Sequence, residues 1–333
     1  MHVHLENLSS KPRIFWLTPE LLQASLQSAP DLDGRVRFSV GEDLSRLEGN
    51  LKTATVLVTS ADVICHPDFP RADLAQLAPA LRHVHLIGAA VDRVLPLDWL
   101  PRAAVLTNNS GVHVEKVREY LTMALLALNM RLPQIASNQA RKTWDQIFTP
   151  LIKGKTAVVV GLGAMGQAAV EVATSLGLQV HGVSRSGRSV PGLVEAHTVR
   201  QLGDVLGRAD FIVIATPLTP ESRGMFSRSI LEAAKPGAGL VNVGRAGVMD
   251  HAALGDLLRS GHLSGAIIDV LPEEPLAPSS ELWSARNLLI TPHVAADDLD
   301  GYMTGTMRLV FDNLRRRLAG MPLTNVVDPE AGY

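Results

Sequence analysis

Short apolar runs alternate with stretches of helical periodicity along most of this 333-residue chain. In the first hundred residues, Arg13–Thr18, Arg35–Val40, Thr55–Ser60, His83–Ala89 and Ala104–Asn108 read as strands. Pro19–Leu26 reads as a helix with proline in its first turn. Arg71–Leu81 predicts another, placing Leu74, Leu77, Ala78 and Leu81 on one face. The pattern changes near Asn108–Gly111. There Val114, Val117, Tyr120, Leu121, Ala124, Leu125 and Leu128 recur at helical spacing and predict a long helix. Its broad apolar surface implies deep burial or a subunit contact. A second set of strands starts at Thr156 and continues through Val180–Val183, Phe211–Ala215, Gly239–Gly244, Gly265–Val270 and Asn287–Thr291. Asp298–Leu318 predicts a closing amphipathic helix, with Leu299, Met303, Met307, Val310, Leu314 and Leu318 inward and Arg315–Arg317 at its negative end. Strands alternating with helices imply α/β architecture, with doubly wound parallel sheets in two lobes.

The strand opening the second set runs Thr156-Ala-Val-Val-Val and ends in Gly161-Leu-Gly163-Ala-Met-Gly166, after which a helical pattern follows through Ala168, Val172 and Leu176. Glycines at this spacing permit a tight turn, close backbone approach to a pyrophosphate, and close helix–strand packing. The helix start adds free N–H groups and the positive end of a dipole. This predicts a dinucleotide site over Gly161, Gly163, Ala164, Met165 and Gly166. An NAD site carries an acid at the end of the second strand, about 20 residues on. Here Leu178–Val183 runs instead into Ser184-Arg185-Ser186-Gly-Arg188. A hydroxyl and a guanidinium suit a 2′-phosphate, so NADP (as NADPH) is expected over NAD, which stays possible.

Composition narrows the setting. Net charge is −2 and hydrophobic residues make up 46% of the chain, so a nucleic-acid partner is not expected. The single cysteine, Cys65, excludes an intrachain disulfide and suits a reducing compartment. The longest apolar stretch, Leu121–Met130, is too short to span a bilayer, and the start of the chain lacks a signal-peptide core. A cytoplasmic, non-membrane protein is expected. No metal site is expected.

Three apolar runs downstream of the glycines each end on a polar residue. Val241–Gly244 is followed by Arg245, Ala266–Asp269 leads to Glu274, and Leu288–Pro292 is followed by His293. Ligands of open α/β sheets sit at the carboxyl ends of strands, so these ends are expected to converge on a nicotinamide. Arg245 would pair with a substrate carboxylate and polarise the carbonyl. His293 would exchange a proton with the carbonyl oxygen, and Glu274 would hold the imidazole.

On these runs the chain resembles the D-isomer-specific 2-hydroxyacid dehydrogenases, and within them the glyoxylate/hydroxypyruvate reductases. The matching segments are Val159–Gly166, Ala215–Gly224, Leu240–Gly247, Gly265–Pro275 and Ile290–Ala295. Leu86–Asp92, Asn109–Val112 and Val117–Glu119 also match. The resemblance implies a catalytic set of His293, Glu274 and Arg245. It places Thr216, Pro217, Val243, Gly244 and Asp269 beside the cofactor, and Ser184-Arg185-Ser186 looks like the NADP-preferring reductases. Backbone N–H groups of Ile87, Gly88 and Ala89 would bind the substrate carboxylate together with Arg245 and His293. It further implies a flavodoxin-like substrate domain of residues 1–108 and 296–333, an NAD(P)-binding Rossmann domain of residues 109–295, and a homodimer contact on the helix from Val112. Ala90 departs from the family's second glycine in Gly-Ala-Gly. Glu274 in place of glutamine argues against formate oxidation. The absence of a regulatory domain after residue 333 argues against the longer phosphoglycerate dehydrogenases. Trp144 fits either a family position near the active site or dimer arm, or plain packing.

The expected activity is NADPH-dependent reduction of small 2-keto acids, glyoxylate and hydroxypyruvate, to D-2-hydroxy acids. Reduction of a larger 2-keto acid is the alternative within this class. A dinucleotide-sensing interaction protein on the same scaffold is the alternative outside it.

Overall fold

The computed structural model describes residues 1–332. It divides into two compact units, one of Met1–His113 with the segment from Asp298, the other of Val114–Asp297.

The first unit holds a five-stranded sheet of β1 (His2–Asn7), β2 (Arg37–Glu42), β3 (Val56–Thr59), β4 (His83–Leu86) and β5 (Val105–Thr107). Its order is β2-β1-β3-β4-β5 and every pairing is parallel. That is the flavodoxin-like order. A parallel sheet must be covered on both faces. Leu57, Val84, Leu86 and Leu106 pack on one side with Leu47, Leu51, Ile64 and Leu74. Val3, Leu5, Val56 and Val58 pack on the other with Met307, Val310, Phe311 and Leu314 of the closing helix.

Three expectations for this unit need correction. Arg13–Phe15 is a 3₁₀ turn, not a strand, and the first strand is His2–Asn7. Its alternate positions are His2, His4 and Glu6, which disguise a strand whose six residues are all buried. Their burial is compensated by hydrogen bonds: His4 Nε2 meets Glu6 Oε2 at 2.7 Å, Ser39 Oγ bridges both histidines, and Glu6 Oε1 accepts from Leu44 N. The helix expected over Arg71–Leu81 is the single turn Leu74–Leu77. Pro79 excludes the helical region for Ala78, which sits at φ −121°, ψ 60°. The closing helix spans Tyr302–Leu318 and leaves Leu299 79% exposed. Upstream, Asp298 Oδ1 accepts from Asp300 N at 3.1 Å, a local turn that competes with helix.

The second unit holds β6 (Thr156–Val160), β7 (Gln179–Ser184), β8 (Glu195–Thr198), β9 (Phe211–Ile214), β10 (Ala238–Asn242), β11 (Leu263–Ile268) and β12 (Leu288–Ile290). The order is β12-β11-β10-β9-β6-β7-β8, again wholly parallel. Counted from β6, this is the doubly wound dinucleotide-binding order with one strand added. β8 was not visible in the sequence, because Glu-Ala-His-Thr carries no apolar run. Leucine-rich helices cover one face, including Leu254 and Leu258, while Val117–Leu128 and Ala168–Ala173 cover the other. The chain reverses its winding between β6 and β9, which opens a crevice at their carboxyl ends. Among the described residues no helix is long and apolar enough to cross a membrane.

Candidate active site

Because all seven strands of the second sheet run parallel, the turns that follow them gather along one edge. Gly161–Gly166 follows β6, Ser184–Ser186 ends β7, Thr216 and Pro217 follow β9, Val243–Arg245 follows β10, Asp269 follows β11, and Thr291–His293 follows β12.

The glycine turn is shaped from inside the protein. Gly161 sits at φ +94°, and a Cβ there would lie 2.6 Å from Ala215 O; a Cβ at Gly166 would lie 1.7 Å from Gly161 O. The carbonyl of Leu162 accepts from Arg188 Nη2 at 2.8 Å and from Gln167 Nε2 at 3.2 Å. Gly163 differs, having open space where its Cβ would stand. It is the N-cap of the helix Ala164–Ser175, and no side chain caps that end. Ala164 and Met165 therefore present helix-start N–H groups of the kind that bind phosphate. Ser184 Oγ, at the end of β7, is buried without a hydrogen-bond partner. Arg185 follows it and contributes, after the hydrogen bonds from Thr219 and the backbone, to lowering the pKa of Glu221. Thr216 Oγ1 donates to Val160 O at 3.0 Å, and Val243 N to Ile214 O at 3.0 Å, so both fix the crevice walls. A Cβ at Gly244 would meet Thr216 O at 2.6 Å.

Arg245 leaves the end of β10 on a turn set by Asn242. The fully buried amide accepts from Gly244 N at 3.0 Å and donates to Arg245 O at 3.3 Å, while Arg245 Nη1 donates to Gly244 O at 2.8 Å. His293 Nδ1 meets Glu274 Oε2 at 2.6 Å, and Glu274 Oε1 accepts from Leu271 N at 3.0 Å. With Nδ1 engaged, Nε2 is the ring nitrogen left to exchange a proton with another molecule. The side chains of His293 and Glu274 are 47% and 37% exposed, so a solute can reach them.

His293 lies at φ +57°, an uncommon conformation for a residue with a side chain. Asp269 holds it there. This carboxylate is 2% exposed and accepts three bonds from the histidine loop. Thr291 Oγ1 (2.6 Å) and Val294 N (2.9 Å) donate to Oδ1, and Ala295 N (2.9 Å) donates to Oδ2. His293 N donates to the Asp269 carbonyl at 3.0 Å. Since Thr291 donates to the carboxylate, its oxygen accepts from Tyr120 OH at 2.7 Å. Burial raises the Tyr120 pKa to about 12, which keeps this donor protonated. Tyr120 and Thr291 had no assigned role in the sequence. The available signal was a tyrosine on the buried stripe of a helix, whose hydroxyl needs a partner. Asp297 stands near the same group. Burial raises its carboxyl pKa, the charge of His293 opposes that, and Asp269 adds to it.

In the first unit, Ile87–Ala89 follows β4, and its three carbonyls are all tied down. Asn109 Nδ2 and Tyr302 OH donate to Ile87 O at 2.5 and 3.1 Å, Asn109 N to Gly88 O at 3.1 Å, and Asn108 Nδ2 to Ala89 O at 2.8 Å. Beyond the long helix Val114–Asn129, Trp144, Phe148 and Leu151 are 92%, 88% and 83% exposed.

Residues 122–295 match the family model described as D-isomer specific 2-hydroxyacid dehydrogenase, NAD binding domain. A D-isomer specific 2-hydroxyacid dehydrogenase from Xanthobacter autotrophicus Py2, solved with NADPH and MES, is similar over 99% of each chain, with a TM-score of 0.83 and 27% identity. An NADPH-dependent glyoxylate/hydroxypyruvate reductase from Sinorhizobium meliloti, solved with NADP and sulfate, is similar over 100% of each chain at a TM-score of 0.79 and 29% identity. D-3-phosphoglycerate dehydrogenase of Mycobacterium tuberculosis is 29% identical over 301 residues, which is 89% of this chain and 55% of that protein. The chain thus spans about half the length of the first curated relatives it matches.

Proposed function

The chain belongs to the D-isomer specific 2-hydroxyacid dehydrogenase family, and from that premise we propose that it reduces small 2-keto acids, glyoxylate and hydroxypyruvate first, with NADPH. The observation that carries this reading is the 2.6 Å contact of His293 Nδ1 with Glu274, set on the same sheet edge as Arg245 and the glycine turn.

The residues present fit a dinucleotide. The uncapped helix start at Gly163–Met165 suits the pyrophosphate, and the partnerless hydroxyl of Ser184 beside Arg185 and Ser186 suits the ribose end. No carboxylate occupies positions 184–188 to claim the ribose 2′-OH, and the guanidinium of Arg185 favours a 2′-phosphate. NADP is therefore assigned over NAD, in keeping with the bound cofactors of the two solved relatives. When bound, the reduced nicotinamide supplies the hydride. Arg245 binds the keto acid carboxylate through its fork of donors. His293 gives a proton from Nε2 to the carbonyl oxygen and recovers it in the reverse direction, while Glu274 fixes the ring from the Nδ1 side. In the first unit, Gly88–Ala89 is assigned as a carboxylate-binding turn; the Ile87 N–H, expected to share that role, instead donates to Thr59 O at 2.9 Å and continues the sheet pairing. Residues 114–297 are assigned as the dinucleotide-binding unit. The exposed apolar side chains of Trp144, Phe148 and Leu151 support a homodimer, which light scattering on the purified protein tests.

The deciding assay follows loss of the near-ultraviolet absorbance of NADPH, then NADH, against glyoxylate, hydroxypyruvate, pyruvate and phenylpyruvate. Fast turnover of the two small acids with NADPH is expected. Preference for phenylpyruvate overturns the substrate class, and equal use of NADH overturns the role of Arg185. Dinucleotide binding without turnover of any keto acid would point to a sensor.

A further inference from the structure

The second unit carries a cluster that the proposed chemistry does not use. On the edge strands, His181 of β7 pairs in register with Glu195 of β8, and Val183 with His197. The alternation of side chains along a strand places His181, Glu195 and His197 on one face. His197 is 5% exposed, His181 is 13% exposed, and Glu195 is open to solvent at 56%. The two imidazoles lie nearly parallel, with centroids 5.4 Å apart and planes inclined by 19°.

Three potential ligand atoms lie close together. His181 Nδ1 and His197 Nε2 are 3.1 Å apart, and Glu195 Oε2 is 3.8 Å from the first and 3.5 Å from the second. The point equidistant from these atoms lies about 2.0 Å from each, the length of a Zn–N or Zn–O bond. We propose that His181, His197 and Glu195 bind one divalent transition ion of the zinc type, with a fourth position open to water. Two neutral imidazoles and a carboxylate are a donor set that such ions accept. The ion would join β8 to β7 by side chains at the sheet edge, three residues before Ser184. Its occupancy would stiffen the strand pair that presents Arg185.

The competing occupant of this cluster is a single proton shared between the imidazoles. Equilibrium dialysis of chelator-stripped full-length protein against Zn²⁺, with metal analysis, separates the two. One zinc per chain is expected, with a rise in the thermal unfolding midpoint and, on Co²⁺ substitution, the visible absorption of a tetrahedral site. Glu195→Gln and His181→Ala lie on the accessible side of the cluster and should lose both the bound zinc and the rise while folding normally. His197→Ala removes a buried ring and serves only as a third check. Zinc that binds equally in His181→Ala and in the unaltered protein, or no binding to the stripped protein, overturns the site and leaves the shared proton.

Discussion

Replacing Asp269 by Asn tests whether the buried carboxylate sets the geometry of His293. Asp269 receives three donors from the loop, two on Oδ1 and one on Oδ2. The amide keeps one acceptor oxygen and turns an NH₂ toward whatever donor faced the other, so at least one bond becomes a donor–donor contact. Hydrogen bonds to charged groups contribute about 1.5–3 kcal/mol each, and a buried donor left unpaired costs about 1–3 kcal/mol. The loop should lose roughly 2–4 kcal/mol of support, while the left-handed backbone at His293 itself costs on the order of 1–3 kcal/mol to maintain. A loss of this size would shift most molecules away from the aligned histidine. At about 1.4 kcal/mol per factor of ten, kcat with glyoxylate and NADPH should fall about 30-fold or more. Thr291→Val removes one donor to Asp269 and strands Tyr120 OH, so it should show the same defect at a smaller size. The measurement pairs steady-state kinetics with thermal unfolding. A D269N protein with unchanged kcat and unchanged melting would refute the argument.

Other tests bear on separate parts of the molecule. His293→Asn should lower kcat by about 10²–10⁴ while dinucleotide affinity, read by fluorescence quenching, stays within twofold (an order-of-magnitude bound); retained turnover would remove His293 from the proton path. Arg185→Ala should raise the KM for NADPH about tenfold or more, as loss of a charge-assisted bond implies, with little change for NADH; parallel changes for both would show that Arg185 does not read the phosphate. Gly163→Ala should weaken cofactor binding without altering melting, whereas Gly166→Ala should lower the melting temperature, because only the second Cβ strikes backbone. Stability should also fall on acidification. Burial lowers the pKa of His85 from the ordinary 6.5 to about 4, and that of His83, with help from His85 and Arg317, to about 3. The unfolded chain binds protons that these folded rings refuse, so their contribution is complete above pH 6.5 and drains away toward pH 4. At 1.36 kcal/mol per unit the loss from His85 alone reaches about 3 kcal/mol. Urea midpoints at pH 7 and pH 5 that coincide would contradict this.

The two sheets were legible in the sequence where strands carry β-branched runs, as at Thr156–Val160 and Phe211–Ile214. Buried on both faces, such strands have no need of polar positions. β1 escaped notice because one of its buried faces is His2, His4 and Glu6, which look like surface until their hydrogen bonds, including those to Ser39 of β2, are known, and β8 because Glu195-Ala-His-Thr198 carries no apolar run. Helix ends failed for a local reason. Apolar spacing carried the prediction through Ala78–Leu81 and back to Leu299, while Pro79 and the Asp298 turn decided the real limits. At the candidate site, the order of Arg245, Glu274 and His293 along the chain was readable, since each follows an apolar strand. The network beneath them was not. Tyr120 and Thr291 are 171 positions apart and meet only after the helix packs on the sheet.

The glycine turn separates what the fold demands from what a ligand demands. Gly161, Gly166 and Gly244 are each required by atoms of this chain: a Cβ at any of them would enter the backbone of a neighbouring strand end. Their presence says only that β6, β9 and β10 finish close together, as a parallel sheet with reversed winding makes them do. Gly163 has no such internal cause, because its Cβ would meet open space and its φ of −73° is ordinary for any residue. Its missing side chain is explained by something that approaches the backbone from outside. The uncapped helix start lies at the same residue, and the partnerless hydroxyl of Ser184 lies at the end of the adjacent strand. A phosphate at the first and a ribose at the second satisfy all three with one molecule, which is why a dinucleotide accounts for this edge better than the glycine spacing alone could.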